Sequence, residues 1–299
     1  MVNLARGGMA LMRSIGRVFA LATGLLVATG APVVADVPEI LRVSAIPDEN
    51  PTELLRIYTP FAEYLQREIG LKVQFTPVVD YPATVEGLAA KKLDMVWYGG
   101  FTSVQAARRT NGTAKRLVLR QEDAEFKSVF IAKPGSGIRS LADLKGKTFA
   151  FGSVGSTSGH LMPRYFLLQA KINPEQDFKQ VAYSGAHDAT ALWVESGKVE
   201  GGALNFLVWD KLAQTKKVDL SKVDVFYTTP PYVDYCWTVR GDLDKGIQDK
   251  ITAAFLKLDY NNPEQRKLLD LHRTKKYLRA NDADWKSVED AAIAAGLIK

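Results

Sequence analysis

The chain has 299 residues, 46% of them hydrophobic, one cysteine and a formal net charge of +6. That length buries a substantial core, in one large domain or two ordinary ones, and the single cysteine excludes an intrachain disulfide framework. Lysines and arginines are interspersed with acids, as in Lys245–Asp249 and Lys267–Arg273, so no basic stripe marks a nucleic-acid partner.

The chain opens on a secretory signal. Arg6, Arg13 and Arg17 are the only charges before Asp36, and an apolar run from Val18 to Pro32 follows them. The run is shorter than the roughly 20 residues of a membrane span, and Val33-Val34-Ala35 offers small residues for cleavage after Ala35. Residues 1–35 are therefore expected to be a cleaved signal peptide rather than a retained anchor. No cysteine lies near the cleavage point, which predicts a soluble periplasmic protein with no stable membrane insertion after processing.

Leu41–Ala45 alternates as a strand does, and Thr52–Ile69 carries Leu54, Leu55, Tyr58, Phe61, Ala62 and Leu65 at helical spacing before Gly70. Val73–Val78 reads as a strand, Thr84–Lys91 as a helix and Leu93–Trp97 as a strand. The rhythm resumes with strands at Val129–Ala132 and Thr148–Phe151, a helix over His160–Ala170, and a strand at Gln180–Tyr183. A helix over Asp188–Ser196, a strand at Gly201–Leu204 and a helix over Val208–Gln214 follow. Strands at Val223–Tyr227 and Trp237–Val239 precede helices over Asp244–Leu258 and Pro263–Leu271. Strands separated by helices imply crossover connections. The expected fold class is α/β, with two lobes whose mixed, mostly parallel sheets are flanked by helices. Lobe 1 is discontinuous, residues 36–131 with 237–299, and lobe 2 is inserted, residues 132–236. A cleft between such lobes collects strand carboxyl ends and helix amino ends, and is the natural ligand site.

The segment from Gly152 to Gly159, Gly-Ser-Val-Gly-Ser-Thr-Ser-Gly, runs from a strand into a helix, with Pro163 expected in the first turn of that helix. The first N–H groups of a helix lack acceptors and carry partial positive charge, so anions bind there. Glycines permit close approach, and the hydroxyls of Ser156, Thr157 and Ser158 add donors. The same residue types also serve as plain N-caps. No Gly-Lys-Ser/Thr closes the segment, which excludes a nucleotide P-loop, and it lacks the dinucleotide spacing.

Three further junctions face the expected cleft: Asp80-Tyr81-Pro82, Trp97–Thr102 and Ser184–Asp188. Tyr81 and Tyr98 can each donate an O–H, or else pack in the core or rim. Of the three histidines, His187 sits at a junction and is a ligand donor or a satisfied structural residue; His160 opens a helix and His272 is expected on the surface. They form no cluster at metal-ligand spacing, so no metal or cofactor is expected. Asp234, within Pro230–Trp237, is a hinge or cap residue, or an acceptor that favours a protonated ligand. Cys236 is a small buried hydrophobe or a soft ligand for arsenite.

These segments resemble the phosphate/phosphite/phosphonate-binding family of ABC-importer periplasmic proteins over the whole mature chain. The resemblance rests on Asp80-Tyr81, Leu93–Gly100, Leu141–Lys147, Ser156–Gly159 and Ser184–Asp188, with Ser-Thr-Ser-Gly the most specific element. It implies a type II-like periplasmic-binding-protein fold, with Tyr81, Ser156, Thr157, Ser158, His187 and Asp234 caging a small tetrahedral oxyanion. Its partners would be ABC permease subunits in the inner membrane. Trp97-Tyr98-Gly99-Gly100 departs from the family's usual glycine-proline ending. With Phe151-Gly152-Ser153 and Asn205, it is more similar to a selenate-binding subgroup, which leaves the ligand open between phosphorus oxyanions and selenate. A sensor docking on a histidine-kinase ectodomain, for an oxyanion or arsenite, is the alternative; arsenite sensors of this superfamily use a first-lobe cysteine that this chain lacks. Catalysis is not expected, because a phosphoester-cleaving enzyme would need a metal cluster or paired carboxylates.

Overall fold

The strands sort into two mixed sheets in a computed structural model that describes residues 36–299. The expected signal peptide, residues 1–35, lies outside the described residues.

The chain begins with β1 (Ile40–Ala45), α1 (Pro51–Ile69), β2 (Lys72–Phe75), α2 (Tyr81–Ala89), β3 (Met95–Tyr98), α3 (Gly100–Arg109) and β4 (Lys115–Arg120). It continues with β5 (Ser128–Ala132), β6 (Thr148–Phe151), α4 (Met162–Gln169), α5 (Pro174–Asp177), β7 (Gln180–Tyr183), α6 (His187–Ser196), β8 (Gly201–Asn205), α7 (Phe206–Gln214) and β9 (Asp224–Thr228). It ends with β10 (Cys236–Val239), α8 (Lys245–Leu256), α9 (Pro263–Leu271), β11 (Tyr277–Arg279) and α10 (Lys286–Ala294). The first lobe is built on the sheet β11-β4-β10-β3-β1-β2 and the second on β7-β6-β8-β5-β9.

Local chemistry sets the helix ends. Asn50 caps α1 by accepting from the Glu53 N–H at 3.1 Å, Pro51 occupies the first turn, and Gly70 closes the helix at φ 72°. One face of α1 buries Leu54, Ile57, Tyr58, Phe61 and Leu65 against the first sheet, whereas Leu55 points outward. The family-like segment Leu93–Gly100 begins with a structural acid. Asp94 is buried between Arg42, at 2.7 Å, and Arg240, at 2.8 Å.

Strand direction departs from the mostly parallel expectation for a topological reason. β1 pairs parallel with β2 and β3, and β6 with β7 and β8, as right-handed crossovers require. Every antiparallel pair includes β4, β10, β5 or β9, the strands beside the two passages between lobes. β10 and β5, the strands that enter from the other lobe, run opposite to their neighbours, and β11 is a further antiparallel strand at the edge of the first sheet. The passages are residues 121–127 and 229–235, and they pair with each other: Phe126 N–H donates to Tyr232 O at 2.7 Å, and Tyr232 N–H to Phe126 O at 2.9 Å. Ser128–Ala132 thus lies in the second sheet, paired with β8 and β9, where the sequence reading had placed residues up to 131 in lobe 1. α3, β4, α5, β11 and α10 were not among the expected elements.

The first-lobe core is aromatic and centres on Trp97, Trp237, Phe61 and Phe255. His272 belongs to it, 3% exposed and stacked on Trp237, which corrects the surface expectation. It caps α9, where its carbonyl accepts from the Arg120 guanidinium at 2.9 Å and Tyr277 meets its ring. The second lobe packs one cluster around Val194, Leu204 and Trp209 and another around Phe130, Phe149 and Phe151.

Candidate functional site

The parallel strands of both lobes end at the same cleft, and helices begin there. β2 leads to Tyr81 at the start of α2, β3 to Gly100 at the start of α3, β6 to the turn before α4, and β7 to His187 at the start of α6. Helix amino ends favour negative charge without a basic side chain.

After β6 the chain makes a π-helical turn, Thr157–Leu161, that merges into α4. Helical structure therefore starts three residues before the expected His160. The wide turn accommodates Pro163, whose ring would otherwise crowd the carbonyl four residues back. That carbonyl, Gly159 O, accepts from Gly152 N–H at 2.8 Å, and Ser158 O accepts from the Ser128 hydroxyl at 2.8 Å. Ser156 caps the turn by accepting from Gly159 N–H at 3.0 Å, while its own O–H remains a donor. The Ser158 hydroxyl is buried without a partner.

Thr157 reaches across the cleft. Its Oγ1 accepts from Phe101 N–H of the first lobe at 2.9 Å. It also lies with Asp234 against Gly99, where a Cβ would sit 3.0 Å from Thr157 Oγ1 and 3.3 Å from Asp234 Oδ1. Asp234 is fully buried; its Oδ1 accepts from Gly100 N–H at 2.7 Å and its Oδ2 has no partner. Burial pushes its carboxyl up to about 7, against the Gly100 N–H and the Thr157 hydroxyl. Tyr81, 1% exposed, also buries its hydroxyl without a hydrogen-bonding partner, beside Ser156.

His187 is fully buried, with Gly159 close enough that a Cβ there would stand 3.0 Å from His187 Cε1. Asn205 N–H points at Nδ1 at 3.4 Å, which leaves the proton on Nε2, facing the Tyr235 hydroxyl at 3.4 Å. Burial holds the imidazole down to about 3, so it is neutral at physiological pH. Sequence reasoning passed over Asp48 and Tyr235. The Tyr235 hydroxyl accepts from Asn205 Nδ2 at 3.0 Å and donates to Asp48 Oδ2 at 3.1 Å. Asp48 is pushed up to about 6 by burial and by neighbouring Glu49, and its carbonyl accepts from His187 N–H at 2.9 Å. The available signal was position, because residues 46–50 form the junction after β1, on the same edge as the junctions already identified.

Other sequence candidates resolve into structure. The Tyr98 hydroxyl donates to Thr84 O at 2.7 Å inside the first lobe, so its one proton is committed and it is not available to a ligand. His160 is a packing residue: Nδ1 donates to Val154 O at 2.8 Å and Nε2 receives Arg164 and Tyr183. Cys236 is wholly buried beside Thr238, its thiol pushed up to about 11 by burial, which leaves it a hydrophobe and removes the basis for arsenite. Arg120 lies beneath the site, ion-paired with Asp123 at 2.6 Å and stacked under Tyr235 at 5.0 Å. Among the described residues no group of three or more His, Cys, Asp or Glu could hold a metal ion.

The cleft therefore brings together Tyr81, Ser156, Thr157, Ser158, His187 and Asp234, with donors from both lobes and one unpaired acid. A family model described as "ABC transporter, phosphonate, periplasmic substrate-binding protein" matches residues 43–285. The chain belongs to this family. It is a family of substrate-binding transport proteins rather than of enzymes. The chain is 35% identical over 283 residues, 91% of its length, to the "Probable ABC transporter phosphite binding protein" of Prochlorococcus marinus, of which 95% is covered. It is 29% identical over 237 residues to the phosphonates-binding periplasmic protein of Escherichia coli, covering 77% of this chain and 69% of that one. The solved structure of the Prochlorococcus marinus protein in complex with methylphosphonate superposes with a TM-score of 0.84, covering 88% of this chain and 100% of the other. Both lobes are thus shared with the family. No helix among the described residues is long and apolar enough to cross a membrane.

Proposed function

We propose that this chain captures a small, singly protonated phosphorus oxyanion, phosphite or a short phosphonate, by closure of its lobes. It then delivers the anion to the permease subunits of an ABC importer. The observation that carries this reading is that three of the seven side-chain polar atoms buried without partners among the described residues, Tyr81 Oη, Ser158 Oγ and Asp234 Oδ2, belong to residues of this one cleft. Buried polar groups are almost always paired, and each unpaired one costs about 1–3 kcal/mol. A tetrahedral oxyanion supplies what they lack.

In this reading the hydroxyls of Ser156 and Ser158 and the first N–H groups of the π turn donate to the anion's oxygens, while Thr157, its hydroxyl against Asp234, ties the turn to the first lobe. Tyr81 donates from another side, and His187, its Nε2–H turned to Tyr235, walls the turn with its ring. Asp234 accepts the ligand's own O–H. The site holds no cation, so helix ends and hydroxyls carry the charge, which favours one negative charge over two. The ligands named for the relatives, phosphite, phosphonates and methylphosphonate, support phosphorus over selenium. The family match supports import over the sensor alternative. Export through the expected signal peptide, with cleavage after Ala35, places the protein in the periplasm.

Calorimetry with phosphite, methylphosphonate, phosphate, selenate and sulfate tests the proposal. Binding of phosphite or methylphosphonate at least tenfold tighter than selenate is expected, tenfold being 1.4 kcal/mol. Tighter binding of selenate would overturn the phosphorus assignment, and no binding of any anion would remove the oxyanion site.

A further inference from the structure

The lobes also meet away from the oxyanion turn, in contacts that need no ligand. Lys211 on α7 of the second lobe places its ammonium 2.5 Å from Glu49 and 2.5 Å from Glu53, at the start of α1 in the first lobe. Both acids have partners within their own lobe: Glu49 pairs with Arg273 at 2.9 Å and Glu53 with Arg56. Beside them Asp188, at the start of α6, accepts from Asn50 N–H at 3.2 Å and Asn50 Nδ2 at 3.0 Å.

We propose that Lys211, seated between Glu49 and Glu53, is a closure latch: a positioning residue that sets the affinity for every ligand by stabilising the closed lobes, without contacting the ligand. The proposal rests on the reading of the cleft as the ligand site only for its affinity readout. The geometry separates this residue from the cage, since among the described residues the Lys211 ammonium meets no member of the turn at Ser156–Ser158. The arrangement of partners makes the contact conditional on closure. Glu49 and Glu53 keep Arg273 and Arg56 when the lobes part, so Lys211 is the one charge of the group that arrives with the second lobe. Its removal leaves neither acid alone, which avoids the large penalty of an uncompensated buried charge. Burial opposes ionisation of both acids, yet their cationic partners hold them well below the usual carboxylate range. They are therefore charged whenever the lobes meet. A cavity of about 360 Å³, lined by Arg56, Asp210, Lys211, Gln214, Asp270 and Arg273, opens beside the latch. The side chains of Lys211, Glu49 and Glu53 are only 14%, 2% and 8% exposed, so added salt screens the latch weakly.

A ligand that binds only the closed form has its apparent affinity reduced by the fraction of molecules able to close. Weakening the latch therefore lowers affinity by one common factor, whereas changing the cage alters the ratio between ligands. The test uses the full mature chain with Lys211→Arg, Lys211→Ala and Lys211→Glu. Affinities for phosphite and methylphosphonate are measured by calorimetry at two salt concentrations. Lobe separation is read by electron–electron resonance between spin labels at Val79→Cys and Leu220→Cys, both exposed positions on different lobes, with and without ligand. Lys211→Arg is expected to retain affinity, and Lys211→Ala to lose about tenfold for both anions equally, the size of a charge-assisted contact. Lys211→Glu is expected to lose more, and the ratio of the two affinities to stay the same at both salt concentrations. The short lobe distance is expected to be depleted in the same order. Affinities and lobe distances in Lys211→Ala that match wild type would overturn the latch, as would losses that differ between the two anions. Should neither anion bind wild type, the oxyanion reading fails by itself, and the label distances in the ligand-free series still decide the latch.

Discussion

Replacing Asp234 by asparagine isolates the group that reads the ligand's proton. Asp234 Oδ1 accepts from Gly100 N–H at 2.7 Å, and that donor fixes the orientation of the substituted amide: its oxygen must face Gly100. The NH₂ then occupies the place of Oδ2, the atom left without a partner. A protonated phosphonate meets a donor where it needs an acceptor and loses a charge-assisted hydrogen bond, about 1.5–3 kcal/mol. That corresponds to a loss of roughly 10-fold to 100-fold in affinity. A fully ionised anion such as selenate gains a donor and sheds a like charge, so its affinity is expected to hold or rise. Calorimetry of wild type and Asp234→Asn with methylphosphonate and selenate at pH 7 measures both arms. Equal losses for the two anions would refute the reasoning, because they would show that Asp234 shapes the cleft without reading a proton.

The same substitution has a stability signature in the ligand-free protein. Burial raises the Asp234 carboxyl from 3.8 to about 7, so the native state holds a proton that the unfolded chain releases, and stability falls as pH rises between those values. Asp234→Asn is expected to match wild type near pH 4, to gain over it through pH 7, and to hold a constant advantage above, bounded by about 4 kcal/mol; thermal melts across pH check the sign. Tyr81→Phe removes a hydroxyl that has no protein partner and is expected to cost about tenfold in affinity, 1.4 kcal/mol, with little change in melting. Tyr98→Phe removes the hydroxyl's bond to the Thr84 carbonyl and is expected to cost about 1 kcal/mol of stability with affinity unchanged; the reverse pattern would exchange the roles of the two tyrosines. At Gly155 a Cβ would stand 3.0 Å from Tyr81 Cβ and 3.2 Å from Thr102 Cγ2 across the cleft. Gly155→Ala is expected to hinder closure and weaken every anion about tenfold, as overpacking by 1–3 kcal/mol does, and small-angle scattering should show a more open form at subsaturating ligand.

Much of the cage was legible because its chemistry is local. Hydroxyls and glycines at the start of a helix are a local signal for a cap or an anion site, and Tyr81, Ser156–Ser158 and His187 stand at junctions marked by the alternation of strand and helix. Tyr98 misled because a tyrosine beside two glycines at a strand end looks the same whether its hydroxyl faces the cleft or, as here, the Thr84 carbonyl. His272 misled in the same way: charged neighbours along α9 conceal a last residue turned inward onto Trp237.

The sequence by itself determined the α/β alternation, the two lobes, the hydroxyl-rich turn at Ser156–Gly159 and the family, since periodicity, capping residues and short motifs are properties of adjacent residues. Tertiary structure alone decided which side chains oppose that turn. Asp48 lies 139 positions before His187 and Tyr235 lies 48 after it, and only the two passages between lobes bring them to one hydrogen-bonded cluster. Tertiary structure also decided strand direction beside the passages, the burial that pushes Asp234 up to about 7, and the meeting of Lys211 with Glu49 and Glu53. Desolvation and contact between distant segments depend on how the lobes come together, and no local pattern records that.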